Sequence, residues 1–213
     1  MRLLKYGVGS LLGGPPDKLT RSHSAWINAC CIDFMTFNSD PSGFVLPDLL
    51  APDLNIVFCG SAASTASAEE KAYYAGPGNK FWSTIYEVGL TSRLLLPQEF
   101  SALLEFGIGL TDMAKQAYGS DQSIPNDADK PERINKIIIE LKPKVMAFVG
   151  KRSAKVFYNM KFGLKNMNYG HQNQFIGRTA LYVLPSPSGL ASRYWDTEPW
   201  QDLAQSVKND LSY

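Results

Sequence analysis

The sequence predicts an α/β protein: a three-layer α/β/α sandwich with a central, mainly parallel sheet, for which we expect four strands, three of them located by the sequence pattern. Three short apolar runs are typical of buried parallel strands, because each is rich in β-branched or aromatic residues and reaches a glycine or a proline: LNIVFC, KVMAFVG and TALYVLP. Segments with helical spacing of apolar residues separate these runs. Strands that alternate with helices indicate right-handed crossovers, and therefore a parallel sheet covered on both faces.

The first half of the predicted domain holds one strand and two helices. The strand covers residues 54–59. In GPGNKFWSTIYEVGL, Asn79 is a favourable N-cap, and apolar residues then recur at helical spacing up to Gly89. A second helix is predicted from about Gln98 to Phe106, where it runs into a Gly-Ile-Gly turn.

The second half repeats the alternation of helix and strand. PERINKIIIELKP places three isoleucines and a leucine on one face of a helix, and the strand KVMAFVG follows it. RSAKVFYNM is predicted to be a helix. His171, in NYGHQNQ, could contact DNA or lie in a turn, and we favour the turn. The strand TALYVLP and a closing helix in EPWQDLAQSVKNDL complete the predicted domain.

Composition limits the partners and cofactors that we expect. The chain has 21 lysines and arginines against 20 aspartates and glutamates, so any anionic partner must meet a local patch. No apolar run approaches the roughly 20 residues that a membrane-spanning helix needs. Cys30, Cys31 and Cys59 lack the spacing of zinc or iron–sulfur ligands, which favours a reducing compartment without a metal or cofactor. We therefore expect a cytoplasmic protein with one domain at 46–213, after an N-terminal arm at 1–45 of unknown role.

Candidate site residues follow the predicted strands. The turns CGSAAS, VGKRSAK and LPSPSGLASR should converge, because the carboxyl ends of parallel strands share one edge of the sheet. Two of the turns should open helices whose free N–H groups attract anions, and Lys151, Arg152 and Arg193 add positive charge. Each feature also has a structural explanation: Gly60 and Ala62 suit tight packing of a strand against a helix, and Lys151 suits a solvated surface.

Five segments stand in one order along the chain: LPDLLAPDLNIVFCG, YYAGPGNKFWSTIYEVGLTSRLL, FGIGLTDMAK, AFVGK and VLPSPSGL. In this order they resemble the mismatch-specific uracil and thymine DNA glycosylases of the uracil-DNA glycosylase superfamily, and the resemblance covers the chain from about Val45 onward. It implies an enzyme that flips a damaged base out of DNA and hydrolyses the bond between base and deoxyribose. The implied partners are DNA containing uracil or another deaminated base and free uracil as product. A monomer without a cofactor is the form that the resemblance implies.

The first motif of that family departs from its pattern here. The family usually has Gly-Ile-Asn-Pro-Gly where this chain has GSAAS, and the asparagine that orients the attacking water is replaced by Ala62, whose methyl group cannot form a hydrogen bond. Asp112 in GIGLTD is the best substitute, because a carboxylate can stabilise a cation-like sugar and take a proton from water. Asp112 could equally be the N-cap of a helix that begins at Met113.

The resemblance also implies a pocket for the flipped base. Tyr74 lies twelve residues after Ala62, where the family places the aromatic ring that stacks on the base; Tyr73 is an alternative, and both could belong to the core. Asn79 could bind in the pocket or cap its helix. The predicted base-binding residues are Gly60, Ser61, Ala62, Tyr74, Asn79 and Ser186.

LPSPSGLASR matches the second motif of the family, which contributes to the pocket and to the loop that enters the duplex. It has no histidine, so backbone N–H groups or a water must stabilise the departing base. Leu190, Arg193 and Tyr194 could wedge into the base stack or simply lie on a surface loop. The predicted DNA-binding residues are Lys151, Arg152, Ser188, Gly189, Leu190 and Arg193.

The leading interpretation is a monofunctional DNA glycosylase acting on uracil, since the sequence indicates no lysine as a Schiff-base nucleophile. Three alternatives stay open: hypoxanthine or another deaminated base as substrate, an inactive protein that binds damaged DNA, and a nucleotide-binding enzyme that uses CGSAAS as its anion loop. The last lacks a GxxxxGK[ST] motif and a proper GxGxxG motif.

Overall fold

A computed structural model describes residues 43–210, so most of the predicted N-terminal arm lies outside the described residues. The strands are β1 (Ile56–Gly60), β2 (Ile108–Asp112), β3 (Val145–Val149), β4 (Gly170–Ile176) and β5 (Thr179–Leu184). The α-helices are α1 (Thr65–Glu70), α2 (Phe81–Glu87), α3 (Pro131–Leu141), α4 (Lys151–Phe162) and α5 (Glu198–Asp210). Three 3₁₀ helices cover Pro97–Phe106, Asn126–Ala128 and Gly189–Tyr194.

The sheet has the strand order β2-β1-β3-β5-β4. The first four strands of this order are parallel, and β4 pairs with β5 in the antiparallel direction at the edge. The central strands β1 and β3 are buried along their whole length, as expected for parallel strands covered on both faces.

Two apolar clusters cover the two faces of the sheet, because side chains alternate along each strand. Ile56 and Phe58 of β1 pack with residues of α2, α5 and the 97–106 helix. Val57 and Cys59 of the same strand pack with residues of α3 and α4. The predicted three-layer α/β/α sandwich is therefore confirmed. Within residues 43–210, no helix has the length and apolarity required to cross a membrane.

The sheet has five strands rather than the four that we predicted, and β2 was wrongly expected to be a turn. The two glycines of the Gly-Ile-Gly segment at 107–109 suggested a turn, but Gly107 precedes β2 and Gly109 lies within it. A Cβ on Gly109 would come within 2.7 Å of the Leu49 carbonyl oxygen, so this close contact requires glycine. The backbone of Leu49 forms two hydrogen bonds with Leu110 on this outer side of β2. Glycine in this strand thus permits a close approach of two backbones.

Two other local predictions need correction. His171 lies in strand β4 rather than in a turn, and its ring contacts Tyr182 of β5. β4 is an edge strand that is only partly buried, so it contains many polar residues. Its sequence therefore lacks the apolar pattern that predicts a strand. The segment Pro97–Phe106 is helical as predicted, but it forms 3₁₀ rather than α-helix.

Candidate active site

The carboxyl ends of the parallel strands meet at one edge of the sheet, as the sequence predicted. Gly60 ends β1 and lies opposite Asp112, which ends β2. Gly150 follows β3, and its amide donates to the carbonyl of Leu184 at the end of β5 (2.9 Å). The turns after β1, β2, β3 and β5 are therefore neighbours.

The loop before α2 contacts the turn after β5. The amide of Lys80 donates to the Pro187 carbonyl at 2.9 Å. A Cβ on Gly189 would lie 3.5 Å from the Pro77 carbonyl oxygen. The GPGNKFW segment and the LPSPSGLASR segment, which are far apart in the sequence, thus lie side by side.

Gly60 is required by the position of the Asp112 carboxylate. A Cβ on Gly60 would lie 2.5 Å from Oδ1 of Asp112 and 3.5 Å from the hydroxyl of Tyr74. A distance of 2.5 Å is far below van der Waals contact, so only glycine leaves room for this carboxylate. We call the space above Gly60, bordered by Asp112 and Tyr74, the Gly60 space.

A buried ammonium group lies beside Asp112. Lys115 Nζ is 3.7 Å from Oδ2 of Asp112 and 3.1 Å from Oδ1 of Asp48. It also donates to the Tyr73 hydroxyl at 2.7 Å, and that hydroxyl donates to the Pro47 carbonyl. Only 2 % of the Lys115 side chain is exposed. Two carboxylates and a hydroxyl therefore compensate for the buried charge.

A guanidinium group completes this ionic cluster. Arg133 on α3 forms an ion pair with Asp48 at 2.6 Å. It also donates to the Thr111 hydroxyl and to the Asp112 backbone carbonyl, at 2.8 and 2.7 Å. Thr111 in turn donates to Asp48. Because Asp48 accepts from two cations and a hydroxyl, it is the centre of the cluster, and Asp112 lies at its border.

Asp112 is only 4 % exposed, and its surroundings favour protonation. Burial raises the pKa of its carboxyl above the ordinary value of 3.8, and the charge of Asp48 raises it further, whereas Lys115 and Arg133 act in the opposite direction. A carboxylate kept at such a cost to the folded state is typical of functional sites.

The capping alternative for Asp112 is wrong. Asp112 is the last residue of β2, and the structure has no helix at Met113, whose amide donates to the Gly60 carbonyl. The carboxylate instead faces the Gly60 space.

The two neighbouring tyrosines have different positions. Tyr73 is 2 % exposed and belongs to the core, with its hydroxyl bonded to Lys115. Tyr74 is half-buried and stacks on Phe81, with ring centroids 3.9 Å apart and planes inclined by 15°. The φ angle of Tyr74 is +55°, a left-handed conformation that is rare for bulky residues and recurs at functional sites.

The side chains of three predicted binding residues each accept a hydrogen bond from the backbone amide two residues further along the chain. Asn79 Oδ1 accepts from the amide of Phe81, the first residue of α2, at 3.0 Å. The N-cap residue of α2 is Lys80, one residue later than we predicted. Ser188 Oγ accepts from the amide of Leu190 at the start of the 3₁₀ helix. Ser186, half-buried beside Gly150, accepts from the amide of Ser188 at 3.4 Å.

Ser61 and Ala62 lie half-buried after β1, and the Ser61 carbonyl accepts from the amide of Ala114 at 2.8 Å. This bond joins the turn after β1 to the turn after β2. The two predicted base-binding residues are therefore adjacent to Asp112 in space.

The predicted cationic residues differ in their availability. Arg152 forms a two-pronged ion pair with Asp129, both contacts at 2.9 Å, so its guanidinium has a structural role. Lys151 is exposed at the start of α4, with Nζ 4.6 Å from the ring centroid of Tyr169. Arg193 is exposed, as is Leu190, whose side chain is 91 % accessible.

Sequence reasoning missed Asp48, Lys115 and Arg133. Asp48 and Lys115 lie within two of the quoted segments, LPDLLAPDLNIVFCG and FGIGLTDMAK, but no local pattern pairs them. Their link is tertiary, since residues 47–49 run along the outer side of β2.

An open groove of about 720 Å³ lies elsewhere, between the start of α3 and α4. Its lining has side chains of mixed charge, including Glu132, Lys155 and Lys165, and none of the residues that border the Gly60 space. Within residues 43–210, no cluster of three or more histidine, cysteine, aspartate or glutamate side chains has an arrangement that could bind a metal ion. The ionic cluster beside Gly60 is therefore the better candidate for chemistry.

The chain is similar to known proteins over most of its described residues. Residues 47–204 match the family described as the Uracil DNA glycosylase superfamily. A solution NMR structure from Methanosarcina acetivorans, provisionally named a uracil DNA glycosylase, has a similar fold, with a TM-score of 0.56 and 22 % sequence identity. The similarity covers 76 % of this chain and 96 % of that one. Because the family match spans both the sheet and the residues around Gly60, the chain belongs to the uracil DNA glycosylase superfamily.

Proposed function

We propose that this protein is a monofunctional DNA glycosylase that releases uracil from DNA and uses Asp112 as its catalytic carboxylate. The observation that carries the proposal is the position of Asp112: its carboxylate borders the Gly60 space, next to the turn where Ala62 stands in place of the family's asparagine. The chemistry absent from the GSAAS turn is thus supplied by the neighbouring strand.

The proposed reaction is hydrolysis at C1′ of a flipped nucleotide. As the bond from C1′ to the base nitrogen breaks, its electron pair leaves with the base, and positive charge develops on the sugar. The Asp112 carboxylate stabilises that charge and takes a proton from water, whose oxygen bonds to C1′. The base leaves as an anion and acquires a proton, so the products are an abasic site and the free base.

Tyr74 is suited to hold the flipped base. One face of its ring packs on Phe81, and the residue is only half-buried. Stacking on an aromatic ring contributes about 1–3 kcal/mol per base and depends little on which base it is. Tyr74 therefore supports base binding, and backbone N–H groups of the surrounding turns provide the polar contacts in the proposal.

Lys115 supports a mechanism without strand cleavage. It is the lysine beside Asp112, but its ammonium is held by Asp48 and Tyr73 and is 2 % exposed. An amine that is buried and held by ion pairs and a hydrogen bond is not available to attack C1′. We therefore expect the product to be an intact DNA strand with an abasic site. Borohydride, which traps a Schiff base between a lysine and the sugar, should give no covalent complex of protein and DNA.

The test is base release from labelled oligonucleotides that carry one uracil opposite guanine, with matched strands that contain hypoxanthine, xanthine or thymine. Alkali cleaves the abasic product and reports excision. Release of uracil supports the proposal, and release of hypoxanthine without uracil would replace the substrate. A wild-type protein that binds these duplexes and releases no base would show the damage-binding alternative to be right.

Gly60→Ala should lower the rate of excision about tenfold or more. A misplacement of catalytic groups by about 1 Å can reduce a reaction rate by up to about 10²-fold. The added methyl group would collide with Oδ1 of Asp112. Excision rates under single-turnover conditions measure the effect. Gly76→Ala is the matched control, since its Cβ would meet only the Ser64 hydroxyl at an ordinary 3.6 Å. Equal rates for both variants would contradict the assigned position of the carboxylate.

Leu190→Ala should slow excision from duplex DNA about tenfold and have less effect on single-stranded DNA. The exposed leucine at the tip of the 189–194 helix is suited to fill the gap left by a flipped base, and a single strand needs no such filling. Ile139→Ala, which truncates an exposed aliphatic side chain on α3, is the control. Equal losses on both substrates would argue against a wedge.

A further inference from the structure

We infer that the Tyr74 hydroxyl, and not only its ring, takes part in catalysis by holding the water that Asp112 deprotonates. This inference rests on the proposed function. It assigns the two tasks of the missing asparagine to two residues, with Asp112 as the proton acceptor and Tyr74 as the second hydrogen-bond partner of the water.

The first observation is an unpaired buried group. The Tyr74 hydroxyl oxygen is buried, yet no protein atom in the described part of the chain forms a hydrogen bond with it. Buried polar atoms nearly always have a partner, and the exceptions call for an explanation such as a bound water or a catalytic role. Tyr158 on α4 has an unpaired hydroxyl too, so this observation does not single out Tyr74.

The second observation is position. The Tyr74 hydroxyl lies 3.5 Å, and Oδ1 of Asp112 2.5 Å, from the point that a Gly60 Cβ would occupy. The two oxygens are therefore less than about 6 Å apart across the Gly60 space, and they do not bond to each other. A water with two hydrogen bonds of about 2.8 Å can bridge oxygens up to about 5.6 Å apart. The upper limit of about 6 Å on the separation of the two oxygens is thus close to the distance that one water can bridge.

The third observation is that the hydroxyl is held in place. Stacking on Phe81 fixes the plane of the ring, and the left-handed backbone at Tyr74 sets its direction. Burial and the nearby Asp112 charge raise the pKa of Tyr74, so the phenol stays neutral. A neutral phenol can both donate and accept a hydrogen bond. It can therefore hold the water while the water gives a proton to Asp112.

Tyr74→Phe tests the inference, because it removes one oxygen and keeps the aromatic ring. We expect single-turnover excision of uracil to fall about 10- to 100-fold, with little change in Kd for a duplex containing 2′-fluoro-2′-deoxyuridine, which resists hydrolysis. Tyr158→Phe is the matched control: it removes an equally unpaired buried hydroxyl from the opposite face of the sheet and should leave the rate unchanged. Thermal unfolding of both variants checks that each is folded.

A double-mutant cycle with Asp112→Asn decides whether the two residues share one water. If they do, Tyr74→Phe should have little further effect once Asp112 is replaced, because residues that act as a unit are non-additive. Independent, multiplicative losses would overturn the inference, as would a Tyr74→Phe rate equal to that of an active wild type. If Tyr74→Phe binds DNA more weakly but cleaves at an unchanged rate, the Tyr74 hydroxyl binds the flipped base rather than the water, and the inference is wrong. A wild type that releases no base would refute the proposed function itself.

Discussion

Asp112→Asn is expected to lower the rate of uracil excision by about 10²-fold or more, the scale associated with loss of acid–base or electrostatic catalysis. The amide has nearly the same shape as the carboxylate, but it can neither accept a proton from water nor oppose the positive charge of the sugar. The side chain would still fit beside Gly60, so DNA binding should change little. Single-turnover rates and binding to an uncleavable duplex separate the two effects.

The same substitution should leave the protein as stable as the wild type, or more so. Burial and Asp48 raise the pKa of Asp112 in the folded state. Between the ordinary and the raised pKa the folded state binds more protons than the unfolded state, so stability falls as pH rises through that interval. Above the ordinary pKa of 3.8, the burial of Asp112 therefore costs stability, and asparagine removes this cost. Lys115 retains its ion pair with Asp48 in the variant. A higher melting temperature with lost activity would mark Asp112 as functional.

The pH dependence of the wild-type rate provides a control. In the proposed mechanism the ionised carboxylate is the active form, so the rate should decline on acidification at a pH above the ordinary Asp pKa of 3.8. This acid limb should disappear in the residual activity of Asp112→Asn. A variant that excises uracil at the wild-type rate would assign the chemistry to a water held by the backbone of 60–64.

Asp48→Asn is expected to destabilise the protein by about 3–5 kcal/mol, because removing one partner leaves buried charges uncompensated. Asp48 pairs with Lys115 at 3.1 Å and with Arg133 at 2.6 Å. The two cations bond to different carboxylate oxygens, and asparagine replaces one of these oxygens with an NH2 group, which donates and cannot accept. The amide also could not neutralise either cation. Urea unfolding at neutral pH measures the free energy of unfolding.

The exposed Asp121→Asn provides the comparison for Asp48→Asn, since surface substitutions usually change stability by less than about 0.5 kcal/mol. Asp48→Asn and Asp112→Asn should thus have opposite signatures: a loss of stability in the first variant, and a loss of activity at unchanged or higher stability in the second. If Asp48→Asn is as stable as the surface control, the ionic cluster does not have the structural role that we assign to it.

Much of the framework could be predicted, since local patterns determine it. Apolar runs such as LNIVFC predicted β1 and β3, and apolar spacing in PERINKIIIELKP predicted α3. Strand β2 could not be found in this way, because a glycine at position 109 is typical of a turn. Only the tertiary structure shows that the backbone of Leu49 packs closely against Gly109. Strand β4 has the weak pattern of a half-exposed edge.

The sequence by itself determined the α/β class, the convergence of the turns after the strands, and Asp112 as the residue that could replace the missing amide. Only the tertiary structure decided which groups surround Asp112. Pairing of β1 with β2 brings Gly60 opposite it, and the 47–49 segment and α3 add Asp48 and Arg133. These contacts join residues distant in the chain, and the spacing of a sequence describes only neighbours along one helix or strand. The tertiary structure also distinguished Tyr74, with its unpaired hydroxyl at the Gly60 space, from its core neighbour Tyr73.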